Sequence, residues 1–225
     1  MRIPALICAC AAVMIGVTGC GSENTADSPS PSPSTSAQAS APSSPAPAGP
    51  SAGAPTIAEY LKQNNITQTM VTRGQPGVPQ LNLPIPPGWA DVGADTPEDA
   101  YGAIYLEAAK QAANPPAIIA RMARVNGSAD TAKLLEYAPN AVTRAPGWDG
   151  PTTGGPSTLG GFDAVQIAGT ATLNGAPTFV ARKTVVITAP QALYLLALDA
   201  QGPLDQQPAL MDAMRVIDEQ TTIDT

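Results

Sequence analysis

Residues 162–188 read Phe162-Asp163-Ala164-Val165-Gln166-Ile167-Ala168-Gly169-Thr170-Ala171-Thr172-Leu173, then Asn174-Gly175, then Ala176-Pro177-Thr178-Phe179-Val180-Ala181-Arg182-Lys183-Thr184-Val185-Val186-Ile187-Thr188. Two runs rich in β-branched and apolar residues flank Asn-Gly. That dipeptide suits a type I′ turn because both of its residues tolerate positive φ. Two long antiparallel strands joined by a two-residue turn are therefore expected here. Beyond Ala189-Pro190-Gln191 the apolar run Ala192 to Leu198 reads as a third consecutive strand. The chain then closes with an amphipathic helix from about Pro203 to Glu219, predicted to bury Leu204, Leu210, Met211, Met214, Val216 and Ile217.

Working toward the N-terminus, Asp130 to about Ala141 has helical spacing, with Leu134, Leu135 and Ala138 on one face. Ala117–Val125 and Tyr101–Leu106 read as strands. Asp95-Thr96-Pro97-Glu98-Asp99 carries a cap residue and a proline suited to a first helical position. Leu81-Asn82-Leu83 reads as a short strand entering the rigid Pro84-Ile85-Pro86-Pro87-Gly88-Trp89. Ile66–Val71 alternates as a strand does, and Arg73-Gly74-Gln75-Pro76-Gly77 turns the chain. Thr56-Ile57-Ala58-Glu59 is a capping box ahead of Tyr60 and Leu61, so a short first helix is expected. Helices at both ends of an antiparallel meander indicate an α+β fold, with an antiparallel β-sheet flanked by helices, over one domain at 56–225.

The first 55 residues differ in kind. One basic residue, Arg2, precedes an apolar stretch from Ile3 to Val17, too short to span a bilayer and ending in small residues, as a signal peptide does. Val17-Thr18-Gly19-Cys20 departs from the usual small-x-small cleavage pattern and resembles a bacterial lipobox. The resemblance implies cleavage after residue 19, diacylglycerol on the Cys20 thiol and usually acylation of the new amine; the plainer alternatives are an ordinary secretory signal with Cys20 by chance, or an uncleaved anchor. Two or more acyl chains, at about 0.8 kcal/mol per buried methylene, hold a protein stably on a membrane. Residues 20–55 then run through Ser, Pro, Ala, Thr and Gly, as in Ser28-Pro29-Ser30-Pro31-Ser32-Pro33-Ser34. Such a composition buries too little apolar surface to offset its conformational entropy, so a disordered tether is expected. Its reach lies between about 33 Å as a coil and about 100 Å as an extended polyproline helix.

Composition narrows function further. The 225 residues include 0 His and 3 Cys. Cys8 and Cys10 lie in the signal segment and Cys20 is the lipid acceptor, so the mature chain has neither thiolate nucleophile nor disulfide framework. Without His, the Ser-His-Asp and Cys-His arrangements and the commonest ligand for zinc, copper and iron are absent. No catalytic residue, metal site or cofactor is expected. The formal net charge of −7, with no basic run, argues against nucleic acid as a partner.

The domain's motifs, taken together, carry a resemblance. Thr56-Ile57-Ala58-Glu59-Tyr60-Leu61, Gly74-Gln75-Pro76-Gly77, Leu81 to Trp89, Asp95-Thr96-Pro97, Tyr101-Gly102-Ala103-Ile104 and Leu135-Glu136-Tyr137-Ala138-Pro139 follow in order. In that order and spacing they resemble the LpqN/LpqT-type lipoproteins of mycobacteria and related actinobacteria. The resemblance covers essentially the whole domain. It implies a Mog1/PsbP-like α/β/α sandwich, an envelope setting and an accessory or binding role linked to assembling or moving mycolate-type lipids. It supplies no catalytic residue.

Several local features are candidate sites. The rigid Pro84–Trp89 segment could present Ile85 and Trp89 to a partner or lipid, although Trp89 as a core plug under the loop is the stronger reading. Trp148 sits in a Gly/Pro-rich loop reaching Gly161, long enough to be functional or mobile. Asp91, Asp95, Glu98 and Asp99 lack EF-hand spacing and read as caps and an acidic surface. Gly154 to Gly161 lacks the Gly-Lys-Ser/Thr core of a phosphate loop. Ser128 and Ser157 have no nucleophile frame, which leaves only a Ser–Lys dyad through Lys133 or Lys183 on paper. Arg121 and Arg124, three apart on a strand, point to opposite faces.

The resulting expectation is a non-enzymatic protein held by Cys20 on the extracytoplasmic face of the cell membrane, with release of a fraction left open. Its domain acts as an accessory or adaptor module for an envelope protein or lipid partner through Ile85, Trp89 and Trp148. The alternative is a lipid carrier, which requires an apolar cavity of several hundred Å³.

Overall fold

The structure, a computed structural model, describes residues 53–225. The expectations for the signal segment, Cys20 and most of the tether lie outside the described residues.

The hairpin forms as the sequence dictates. Strand β7 (Phe162–Leu173) and strand β8 (Ala176–Ala189) pair in register from Ala164↔Val185 to Leu173↔Ala176. Asn174 and Gly175 both take positive φ, 52° and 78°, which gives the turn the twist the strands require. Strand β9 (Ala192–Gly202) follows β8, and β5 (Ala117–Asn126) follows β9, all antiparallel. The unbroken run Val185-Val186-Ile187 in β8 is buried on both sides, as a central strand should be.

The other strands are β1 (Thr67–Val71), β2 (Gln80–Asn82), β3 (Trp89–Asp91), β4 (Gly102–Leu106), β6 (Gly155–Leu159) and β10 (Thr222–Asp224). The main sheet runs β3-β4-β5-β9-β8-β7-β6, with β1 also on β5, beside β4. Strands β2 and β10 make a small separate ladder. It is tied to the main sheet where the Leu81 amide donates to the Tyr101 hydroxyl at 3.2 Å.

Helices cover the two faces unequally. Helix α4 (Gln207–Gln220) packs Leu210, Ala213, Met214 and Ile217 on one face, against Met122, Val185, Leu196 and Leu198. Helices α1 (Ile57–Gln63) and α2 (Thr131–Tyr137) pack Tyr60, Leu61 and Leu134 on the other, against Val125, Val186 and Leu195. Each large side chain buried in this way contributes about 1.5–3 kcal/mol. An antiparallel sheet flanked by helices is thus the architecture.

Four local expectations need correction. The chain at Asp95–Asp99 makes only a 3₁₀ turn ending at Asp95 and a second turn closed by Ala100 N–H to Pro97 C=O, because strand β4 begins directly after it. The predicted helix to Ala141 is split at Pro139, which lacks an amide donor, into α2 and a short α3 (Asn140–Thr143). The Gly/Pro-rich stretch to Gly161 is no long loop, since Gly155–Leu159 pairs with β7 as strand β6. In the last helix Leu204 and Met211 are exposed and Val216 half-buried, because Leu204 lies in a 3₁₀ turn before the helix proper.

Candidate functional site

The sheet face under α1 and α2 is covered at one end only. Alternation along the strands puts Arg121, Arg182 and Asp199 on this face, because Arg182 and Asp199 are cross-strand partners. Arg182 Nε donates to Asp199, whose other oxygen is approached by Arg121 Nη1 at 3.5 Å. Arg121 Nε also donates to Asp99 at 2.8 Å. Two guanidinium groups and two carboxylates thus form one chain of charge on half-exposed β-structure, where each group orients the next.

Beside this chain lies an open concavity of about 270 Å³, with Ile57, Met70, Ala123, Ala138 and Leu195 among its lining. Arg121 and Arg182 stand on its border. Its wall is made by the start of α1, which is fixed with unusual care. Thr56 and Glu59 form the capping box. Arg144 Nη1 holds both Glu59 oxygens at 2.8 and 2.9 Å, and its Nη2 donates to the carbonyls of Gly53 and Ala54 at 3.1 and 2.7 Å. Asn140 Nδ2 donates to the Ala54 and Pro55 carbonyls at 3.2 and 2.8 Å. The Arg144 hydrogen bond, then the Thr56 amide, lowers the Glu59 carboxyl to about 2. The segment entering the domain is therefore clipped to α3 at the groove's rim.

The opposite face carries a smaller concavity of about 200 Å³, bordered by Leu81, Leu83, Ile85, Ile104 and Ile217, with Arg73 and Asp91 paired at 3.2 Å beside it. Ile85, 51 % exposed, stands at this opening. Trp89 is 7 % exposed and belongs to the core beneath the proline segment. Its amide bonds the Pro86 carbonyl at 3.0 Å. Trp148 is half-buried over β7: a Cβ at Gly169 would collide with its ring, and its indole N–H donates to the Pro151 carbonyl at 3.1 Å. Strands β3 and β7, which carry Trp89 and the Trp148 contact, have β4, β5, β9 and β8 between them. The structure therefore does not bring Ile85, Trp89 and Trp148 into one patch.

Lys183 and Ser157 do meet. The lysine is 1 % exposed; its Nζ donates to Ser157 Oγ at 2.8 Å and to the Thr158 carbonyl at 3.4 Å. It also faces Asp218 Oδ1 of α4 at 2.7 Å, off the line a hydrogen bond prefers. Lysine acts here as a donor and counter-charge that ties β6 and α4 to β8, a use opposite to taking a proton from serine. Asp91 and Asp99 are each engaged by a different arginine, Arg73 and Arg121. The Arg144–Asn140 clip and the Lys183–Asp218 tie were missed from sequence. A charged residue inside the run Arg182-Lys183-Thr184-Val185-Val186 was the available signal for the second.

A family model described as "Probable lipoprotein LpqN" matches residues 54–224, essentially every described residue. The chain belongs to the LpqN lipoprotein family. Lipoprotein LpqN of Mycobacterium tuberculosis is 40 % identical over 176 residues, covering 78 % of this chain and 75 % of that protein. A crystal structure of LpqN, described as involved in cell envelope biogenesis of M. tuberculosis, has a TM-score of 0.72 and 40 % identity. It spans 79 % of this chain and 100 % of that one. The family description names a lipoprotein and no reaction.

Proposed function

We propose that this protein is a non-enzymatic accessory module of the cell envelope, anchored through Cys20, that docks a partner on the open sheet face beside α1. The observation that carries this is the shape of the available space. Met122, Leu196 and Val185 fill the interior at 0 % exposure, and three concavities at the surface, of about 200, 270 and 400 Å³, all stand open to solvent and enclose nothing, the one of about 400 Å³ along residues 62–68 being the most open. Sites that enclose a lipid-sized ligand hold about 300–1,000 Å³ and bury most of it. A shallow apolar floor with an oriented Arg–Asp chain at its border suits contact with a protein surface better than sequestration of an acyl chain. The envelope setting follows the LpqN relative, and the absence of His from the sequence supports a binding role over hydrolysis. The test is organic extraction of the anchored protein followed by mass spectrometry. No lipid beyond the anchor's own is expected; a second lipid near one per chain would make the protein a carrier. Cys20→Ala should move the protein from the detergent to the aqueous phase, and unchanged partitioning would refute the anchor.

A further inference from the structure

The sheet ends in strands of unequal protection. Strand β6 carries Pro156, which cannot donate to a ladder, and β3 is three residues long and ends at Asp91. Strand β1, Thr67-Gln68-Thr69-Met70-Val71, has no proline and no charge. Among the described residues it pairs with β5 alone. Its first four residues are exposed, and Asn126 Nδ2 spans the Thr67 and Thr69 hydroxyls at 3.4 and 2.8 Å, which keeps the strand extended. An exposed edge of this kind is a template for a further strand.

The charges around it are equally uneven. Among the described residues Arg73, Arg121, Arg144, Arg182, Lys183 and Arg215 all sit against carboxylates. Lys110 and Lys133 lie over the rings of Tyr105 and Tyr60. The two remaining cations, Lys62 and Arg124, both flank β1. Lys62 lines a shallow, wide-open concavity of about 400 Å³ with Thr67 and Gln68, and Arg124 is the cross-strand partner of Thr69. Alternation along β5 puts Arg124 on the face away from α1, so the edge has one cation on each side of the sheet. This positive rim belongs to a chain of net charge −7.

We infer that the free edge of β1 is a docking site for an extended acidic segment of a partner protein, which adds to the sheet as an antiparallel or parallel strand. This rests on the adaptor reading above and names its contact surface. A second copy of the chain fits poorly, because pairing β1 with itself would set Lys62 and Arg124 of one copy against those of the other. The chain's own residues 28–55 fit poorly too, with prolines at 29, 31, 33, 42, 45, 47, 50 and 55 interrupting any ladder.

The experiment uses the full anchored chain in detergent micelles and a labelled synthetic peptide alternating Val or Thr with Glu. Anisotropy should show binding that weakens at least about tenfold in Lys62→Glu/Arg124→Glu and less in Lys62→Gln/Arg124→Gln. Amide exchange at residues 67–71 should slow when the peptide binds. A peptide of equal charge with proline at alternate positions should not bind. Equal binding of the proline peptide, indifference to charge reversal, no binding, or slowed exchange only outside 67–71 would each overturn the edge site. Photocrosslinkers at Thr69 on the edge and Ala141 on the α3 side of the groove separate the two claims in cells. Protein adducts at both positions support both claims. Adducts at Ala141 alone would sink the edge site and leave the adaptor reading standing. Adducts at Thr69 alone would move docking from the groove to the edge, and none at either would sink both.

Discussion

The β6–β8–α4 region and the β1–α1 region belong to one sheet and are built for different ends. In the first, a helix covers its sheet face, a buried lysine ties three elements together, and the edge strand carries a proline. In the second, the covering helix is two turns long and the floor beside it is open; among the described residues the edge strand has neither proline nor charge, and Lys62 and Arg124 stand without carboxylates. Contacts in the first region serve stability. The second spends little on stability and leaves its polar groups available, which is where binding is usually placed on a fold.

The sharpest way to test that contrast is to remove apolar bulk from each region. Leu210→Ala or Leu196→Ala, each at a position of 0 % exposure, should cost about 2–5 kcal/mol in denaturant unfolding. Met70→Ala, at a 42 % exposed position, should change stability by under about 0.5 kcal/mol and weaken docking instead. Similar losses at both would erase the distinction. Next in size is the buried tie. Asp218→Ala leaves Lys183 facing no carboxylate and should cost about 1–3 kcal/mol, whereas Lys183→Met, which removes the charge, should cost less.

A smaller effect is expected where Trp148 lies on β7. Gly169→Ala places a methyl against the Asp149 carbonyl and the indole, so Trp148 should lift and its fluorescence shift to the red; an unchanged spectrum would contradict the packing. The smallest concerns the clip beside the groove. Because the folded Glu59 carboxyl titrates at about 2 against an ordinary 4.5, its contribution is complete above about 4.5 and lost as pH falls through about 2. Protection factors of the amides around residues 53–59, taken relative to the intrinsic exchange rate at each pH, should therefore fall across that window, and Glu59→Gln should abolish that fall.

Much of the fold was legible because its signals are local. Asn174-Gly175 fixes the hairpin through two positive φ angles, and Thr56-Ile57-Ala58-Glu59 fixes α1 through reciprocal hydrogen bonds. The misses are nonlocal. Nothing near Gly155–Leu159 announces a strand, since it forms only when β7 offers its edge, and β10 forms only against β2. The site was less legible for the same reason. Ile85, Trp89 and Trp148 share an apolar character that sequence can show, but not a location. The Arg182–Asp199–Arg121–Asp99 chain joins four residues from three strands and a turn, a juxtaposition only the register reveals.

The most direct test of the account compares photocrosslinkers placed at Met70, beside the open groove, and at Met211, similarly exposed on α4, in the protein expressed in living cells. A discrete protein adduct from Met70 and none from Met211 is the predicted result. Adducts from Met211 alone, or the same adducts from both, would contradict the assignment of the open face as the docking surface.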